Sequence, residues 1–476
     1  MQASMSLQEE MIIPDYDAPA PQLPAENPAT NPEPNFVQSS SELSAPTAAV
    51  TPVEPLSPAG ILILCCVFFG VAITEACSVF VLPLTLKLFT DNPEHIFLIL
   101  AINPAFGFIA QPLVGVWSDR IWTRFGRRGF FLVTCAPLVA LSLIMIPYVT
   151  SLPVMVAVVI WLQFFQDVLN GTDQPLIADI VPPEQRTFIM GLIGTVSNIA
   201  TMCVLYVGMS WVTSYKATHG DEQFGLPLYW AAAVAQVLFV TGAALFIKGL
   251  ETERLPSKRP TLTPSRYIQD FLAQPMLARI AAAYFMRAFT KTAIQGSIAL
   301  YASQTLGFSA QQIGQSWGVT PFLALASSIP LGVFVERFAK PTVLQLGFAG
   351  IIVSCFVGYS ATSPTGLAMA AVCFGVGDTT LEVTHKAFMT EQFDPDKVGQ
   401  LSGCVNIFYA VGRTFALVLV GVAIDLTQSE DELATPDYHV IWIISAVGAT
   451  IGIAIMSTVT DHRHEQRLAS AALAPV

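Results

Sequence analysis

Residues 59–83 read AGILILCCVFFGVAITEACSVFVLP, an apolar run interrupted by one charged side chain, Glu75. A hydrocarbon core about 30 Å thick needs roughly 20 such residues in a helix. The run is too long and too continuous for the short alternating strands of a membrane barrel. It therefore reads as a helix that crosses lipid. Similar runs follow it nearly end to end as far as residue 460, and their lengths predict twelve spans. Spans 1–6 fall at 59–83, 95–117, 129–149, 153–178, 188–212 and 227–249. Spans 7–12 fall at 277–301, 312–335, 341–361, 366–389, 401–424 and 440–460. Composition agrees, since the 476 residues are 53% hydrophobic and 12% charged. Soluble domains carry about 25% charged residues.

The formal charge of −12 does not indicate a basic partner, because much of it lies in residues 1–57, which contain no Lys or Arg. That Pro-, Ala-, Ser- and Glu-rich segment is expected to be a disordered tail. It lacks the basic start and apolar core of a secretory signal peptide. The eight cysteines all fall within predicted spans, without metal-ligand spacing to His, and read as small core residues. No cofactor is expected.

Basic residues sort by side. Arg120, Arg124, Arg127, Arg128, Arg186, Arg337, Lys340, Lys386, Lys397 and the central loop 250–276 fall on one side, and only Lys87 and Lys216 on the other. The positive-inside rule makes the basic side cytoplasmic, with both termini there. One missed or extra span would scramble this sorting. The expected domains are the tail 1–57, a six-helix half 58–249, the loop 250–276, a second half 277–460 and a cytoplasmic tail 461–476.

Gly115-Val-Trp-Ser-Asp119-Arg120 closes span 2, and Gly332-Val-Phe-Val-Glu336-Arg337 closes span 8. The same pattern at the same place in both halves points to an internal repeat. Gly permits close approach of helix ends there, and the acid–Arg pair suits a cytoplasmic gate. The longer stretch Gln111-Pro-Leu-Val-Gly-Val-Trp-Ser-Asp-Arg-Ile-Trp-Thr-Arg124-Phe-Gly126-Arg127-Arg128 resembles the span 2–3 signature of the major facilitator superfamily. In detail it is similar to the sucrose-transporter and glycoside–pentoside–hexuronide:cation symporter branch. Asp167-Val-Leu-Asn-Gly-Thr and Ala178-Asp-Ile-Val-Pro-Pro-Glu-Gln-Arg186 are similar to the span 4–5 region of that branch. The resemblance implies an all-α membrane protein of two pseudo-symmetric six-helix halves, working as a monomer in the plasma (cell inner) membrane. It implies cation-coupled, in first place proton-coupled, symport of a sugar or other small hydroxylated solute. Plant sucrose transporters carry an Arg late in span 4. Here that interval runs Asp173-Gln-Pro-Leu-Ile-Ala-Asp179, which puts sucrose itself in doubt.

Ionisable residues inside the spans cost about 2.5–3.5 kcal/mol each on insertion scales, so they face an interior or a cavity. The resemblance aligns Asp167 with the span 4 Asp assigned to proton coupling; the alternative is a structural partner for a buried cation. Asp173 lies between Gly171 and Pro175, a pair that suggests a kink, so it either contacts solute or marks the end of a bent helix. Glu75 either binds a hydroxylated solute, shares the proton with Asp167, or pairs with a cation. Arg287 and Lys291 share a face of span 7, as Asp378 and Glu382 share one of span 10. Pairing across these helices, with Arg413 of span 11 in the same second-half network, is the economical arrangement. Trp161, Gln163, Phe164 and Gln166 suit a sugar ring or ordinary packing equally well.

No phosphate loop or His-Glu-x-x-His motif is present, and no cytoplasmic domain is large enough to bind ATP, so an enzyme is not expected. Two rivals remain: a transporter of an organic anion or amphipathic compound, and a non-transporting sensor on the same fold that acts through its acidic tail. Deleting residues 1–57 separates the last from the rest. A transporter keeps its solute flux in proteoliposomes, whereas a tail-driven interaction protein loses its activity.

Overall fold

The computed structural model describes residues 55–118, 121–247, 249–251, 274–335, 337–392, 398–427 and 436–461. Helices dominate them, as expected where backbone amides have no water to bond. Span 1 comprises Pro58–Phe80 and Leu82–Leu86, and span 2 comprises Pro93–Leu100 and Ile102–Ser118. Span 3 is Gly129–Met145 and span 4 is Leu152–Ile180. Span 5 runs Pro183–Met202, then a π-helical Cys203–Gly208, then Met209–His219; span 6 runs Leu226–Ala235, π-helical Gln236–Thr241, then Gly242–Ile247. Span 7 is Pro275–Gln295 with a short continuation, and span 8 joins Ala310–Trp317 to Val319–Val335. Spans 9 to 12 are Lys340–Tyr359, Pro364–Gln392, Val398–Asp425 and Val440–Ser457. Among the described residues, nine helices are long and apolar enough by themselves to cross a membrane. The other three crossings fall short for local reasons. Span 7 carries Arg279, Arg287 and Lys291, span 8 is interrupted at Gly318, and the apolar part of span 12, Val440–Met456, is short.

Loop-to-loop contacts show how the ends sort. At the basic end, the Leu56 amide donates to Gln185 Oε1 at 2.9 Å, Glu251 meets residues 127–129, and the Lys340 amide donates to Asp461 at 3.2 Å. At the other end, Thr85 and Tyr229 share a 2.8 Å hydrogen bond, and the Gln311 amide donates to Thr213 Oγ1 at 2.8 Å. Ser57 caps span 1 through the Gly60 amide, and Leu56 is buried. Leu56 and Ser57, placed in the tail by the expected boundary at 57, thus pack against the helices, and a tail deletion should stop before Pro55.

Span 4 continues unbroken through Gly171 and Pro175. Gly171 serves a close approach instead: a Cβ there would lie 3.0 Å from the Cα of Gln111 in span 2. Among the described residues, nothing lies within 4 Å of a Cβ placed on Gly332. Close contact between the halves is found at the opposite end. A Cβ on Gly314 of span 8 would fall 1.9 Å from the Leu205 carbonyl oxygen of span 5, and one on Gly421 of span 11 would fall 2.7 Å from Phe97 Cβ of span 2.

These contacts generate a contrast in stability. Gly314→Val overpacks the span 5–span 8 seam and is expected to cost about 1–3 kcal/mol. Gly191→Ala adds a methyl where nothing lies within 4 Å, so helix propensity makes it neutral or stabilising by up to about 1 kcal/mol. Thermal unfolding of the purified variants reads both.

Candidate functional site

Span 4 reaches span 2 through glycines, and this close approach places Asp167. Its carboxylate sits over Gly107, where a Cβ would lie 3.2 Å from Oδ1. Gln111 Nε2 donates to Oδ1 at 3.3 Å. Oδ2 is buried without a hydrogen-bond partner, and the residue is 2% exposed. Asp167 therefore lies behind the wall of the central cavity. Its neighbours at i−4 and i+3, Gln163 and Asn170, line that cavity. Arg413 and Glu75 are both close enough to act on Asp167 electrostatically.

The cavity has a volume of about 500 Å³ and draws its lining from spans 1, 2, 4 and 5 of one half and 7, 10 and 11 of the other. A polar chain crosses between the halves beside it. Arg413 Nη2 donates to Asn103 Oδ1 at 3.2 Å, and Asn103 Nδ2 donates to Gln163 Oε1 at 2.6 Å. Glu75 Oε1 stands 3.8 Å from the same Arg413 nitrogen. Arg413 does not join the second-half network expected for it. Its place on span 11, which packs along span 2, turns it toward first-half partners.

In the second half, span 7 and span 10 bring their charges together. Arg287, 2% exposed, donates to Asp378 Oδ1 from Nε at 3.2 Å and Nη2 at 3.0 Å, and to Glu382 Oε2 at 3.2 Å. Lys291 Nζ is 2.8 Å from Asp378 Oδ2, and Lys386 Nζ is 2.7 Å from Glu382 Oε1. Tyr284 and Tyr409 place their rings 5.9 and 5.8 Å from the Arg287 guanidinium carbon. Buried charges persist when paired and hydrogen-bonded, and here Asp378 and Glu382 answer Arg287, Lys291 and Lys386 directly. Lys291 and Glu382 also line the cavity.

The rest of the lining suits a neutral polar solute. Asn103, Gln163, Asn170 and Gln295 offer amides, Ser78, Ser197, Thr201 and Thr292 offer hydroxyls, and Phe68, Phe80 and Tyr409 offer ring faces. Trp161 and Phe164 are not among them. Both are over 40% exposed, and the Trp161 indole donates to the Leu138 carbonyl of span 3, so they belong to the outer face of the first half. Gln166 is buried and reaches the Val71 carbonyl of span 1. Asn103, Asn170, Ser197, Thr201 and Gln295 escaped a sequence reading that weighed charges above uncharged polar residues. An Asn inside the apolar Ala101–Ile109 run was the available signal. Among the described residues, no group of His, Cys, Asp and Glu is arranged to hold a metal ion.

At the basic end, Asp119, Arg120 and Glu336 lie outside the described residues, as does the side chain of Asp173, and Gly115 falls within span 2. The acid–Arg pairs expected there are therefore not seen. Other partners meet instead. Arg127 Nη2 and Arg128 Nε lie 2.6 and 3.2 Å from Asp179 Oδ2. The amides of Arg127, Arg128 and Gly129 donate to the Glu251 carboxylate, which thus holds the start of span 3 to the end of span 6. Burial pushes the Glu251 carboxyl up from its ordinary range, against the lowering effect of those amides. Gly126 turns the loop at φ 88°, Arg124 lies over the Phe125 ring, and Arg337 is exposed. Glu251 carried no motif that could have announced it.

Comparison with known proteins bears on this arrangement. The family model of the Major Facilitator Superfamily matches the chain twice, over residues 64–282 and 280–475. Proton-associated sugar transporter A of Homo sapiens is 38% identical over 84 residues, 17% of this chain; the Mus musculus protein matches equally. The match spans only 11% of the length of these relatives. Among solved structures, a mutant of the nucleoside transporter NupG superposes with a TM-score of 0.64 at 14% identity, covering 83% of this chain and 99% of that one. A bacterial homolog of the human lysosomal transporter Spinster, inward-facing and unoccupied, superposes with a TM-score of 0.60 at 13% identity, covering 83% of this chain and 93% of that one. At these identities the structures speak for the fold alone.

The ion-pair geometry predicts an asymmetry. Arg287→Ala removes three charge-assisted hydrogen bonds from the most deeply buried member of the network, leaving Asp378 to Lys291 and Glu382 to Lys386, and is expected to cost about 2–3 kcal/mol. Lys386→Ala removes an exposed i,i+4 partner and should change stability by about 0.5 kcal/mol or less. Comparison of thermal midpoints in one detergent distinguishes them.

Proposed function

We propose, because the chain belongs to the Major Facilitator Superfamily and so to a family of transporters rather than enzymes, that it is a secondary transporter coupling proton movement to symport of a neutral hydroxylated solute. The observation that carries this reading is the placement of Asp167. It is a nearly inaccessible carboxylate, with one oxygen lacking a hydrogen-bond partner, directly behind the wall of a cavity shared by both halves.

Each part of the proposal has a physical basis. A buried carboxylate is a natural proton acceptor, because taking up a proton removes a charge that low dielectric disfavours. Asn103 and Gln163 link the region of Asp167 to Arg413 in the other half, so a rearrangement of the halves is felt where the proton binds. The charges lining the cavity, Glu75, Glu382, Lys291 and Arg413, balance in sign, and the amides and hydroxyls around them complement a polyol. Its volume of about 500 Å³ lies within the usual range of about 300–1,000 Å³ for small-molecule sites. The short match to the proton-associated sugar transporters points the same way. Close helix contacts at Gly314 and Gly421 draw the halves together at the end away from the basic loops, which suits access from the cytoplasm if basic loops face inward. The proposed placement is in the plasma (cell inner) membrane, as a monomer with both termini cytoplasmic.

One observation favours an organic anion instead. Arg413 bonds a neutral amide at 3.2 Å and meets Glu75 only at 3.8 Å, so it is the lining cation least committed to a carboxylate. Uptake of labelled sugars and of labelled organic anions into proteoliposomes, with and without a proton gradient, decides between the two.

For whichever solute is taken up, Asp167→Asn is expected to abolish accumulation driven by a pH gradient while counterflow exchange continues at a rate comparable to the parent. A variant that still concentrates solute against its gradient overturns the assignment of Asp167.

A further inference from the structure

We infer a second ligand site, for an amphipathic carboxylate, in a cavity that the two halves enclose at the end away from the basic loops. The cavity has a volume of about 350 Å³. The ends of spans 1 and 5 contribute one side of it, and the end of span 7 with the start of span 8 contributes the other. Its walls are largely apolar, formed by Leu84, Leu88, Val212, Phe224, Phe308 and Ile313. Lys87 and Lys216 line it too, as do the uncharged polar residues Thr213, Ser303, Gln304 and Ser309.

The two lysines decide the chemistry. They are the only Lys or Arg that the sequence places at this end of the spans, and both line the same cavity. This end is otherwise acidic, with Asp91, Glu94, Asp221, Glu222 and Asp437. Random placement of helix-end charges gives no reason for both cations to converge on one apolar chamber. Swung from their aspartates toward the apolar walls, the two ammonium groups, carried by different helices, would complement one anionic head on one short apolar tail.

Each lysine has an acid at hand, Asp91 at 2.8 Å and Asp221 at 2.7 Å. Those acids are 96% and 58% exposed. Exposed pairs contribute little, so the aspartates can return to water while a ligand carboxylate takes their place. The volume stands near the lower limit of about 300 Å³ for ligand pockets, so the occupant is a free single-chain carboxylate rather than a two-chain lipid. Such a ligand contacts both halves only while this end is closed, and its binding therefore favours the closed form. The inference does not depend on the transport reading.

The test uses the purified full chain in phosphatidylcholine nanodiscs and follows thermal unfolding. Decanoate is expected to raise the midpoint by on the order of a few degrees at saturation. Decanol at matched concentration should give no comparable rise. The Lys87→Gln/Lys216→Gln variant should lose the decanoate response, and each single variant should weaken half-saturation by about tenfold. An equal rise with decanol, or an undiminished decanoate response in the double variant, overturns the site. A lysine-dependent rise on replacing phosphatidylcholine by phosphatidylglycerol, without any response to decanoate, overturns the single-chain occupant in favour of a lipid. The single variants keep the test decisive if the double variant fails to fold.

Discussion

Arg287 shows the constraint on which the rest of this molecule depends. A guanidinium at 2% exposure inside a bundle surrounded by lipid has no water to solvate it. It is tolerable only where carboxylates from another helix are held at bonding distance. Asp378 and Glu382 supply them from span 10, and Lys291 shares Asp378. The cluster ties span 7 to span 10 across the interior and turns the polar faces of both away from lipid. The polar cavity is a consequence: once these helices point their charges inward, uncharged polar residues on spans 1, 2, 4, 5 and 11 gain a place to point as well.

The first half solves the same problem differently. It holds Asp167 with one amide donor and no cation at bonding distance. The second half keeps its carboxylates locked to cations, while the first keeps one only lightly held. That asymmetry divides the proposed labour. In the proposed reading, the ion-paired cluster walls the cavity on one side, and the carboxylate with a free oxygen is where the proton comes and goes. Arg413 and Asn103 join the two regimes, because that chain of hydrogen bonds has one end in each half.

The same economy governs the ends of the bundle. Away from the basic loops, glycines at Gly314 and Gly421 let helix backbones of opposite halves approach too closely for any side chain. At the basic end, charge takes over from shape. Asp179 and Glu251 gather the Arg127–Gly129 segment by side-chain and backbone contacts together. Close packing thus joins the two halves at one end, while at the other largely buried charge ties spans 3, 4 and 6 of the first half together.

Much of the architecture was legible in the chain alone. Apolar run length determined that lipid is the solvent and placed the spans, with span 3 beginning at Gly129 and span 10 extending a few residues beyond its expected ends. The i,i+4 spacing of Arg287 with Lys291 and of Asp378 with Glu382 determined which helices carry paired charges, because helix periodicity is a local property. Whether those charges meet is not local, and only the tertiary structure decided it. Arg413 faces span 2 rather than span 10, Trp161 and Phe164 face outward, Gly171 packs against span 2, and Asn103 becomes a bridge. Each of these outcomes depends on the rotation of one helix against another. That rotation is set by the summed packing of many side chains at once, and no single stretch of sequence contains it.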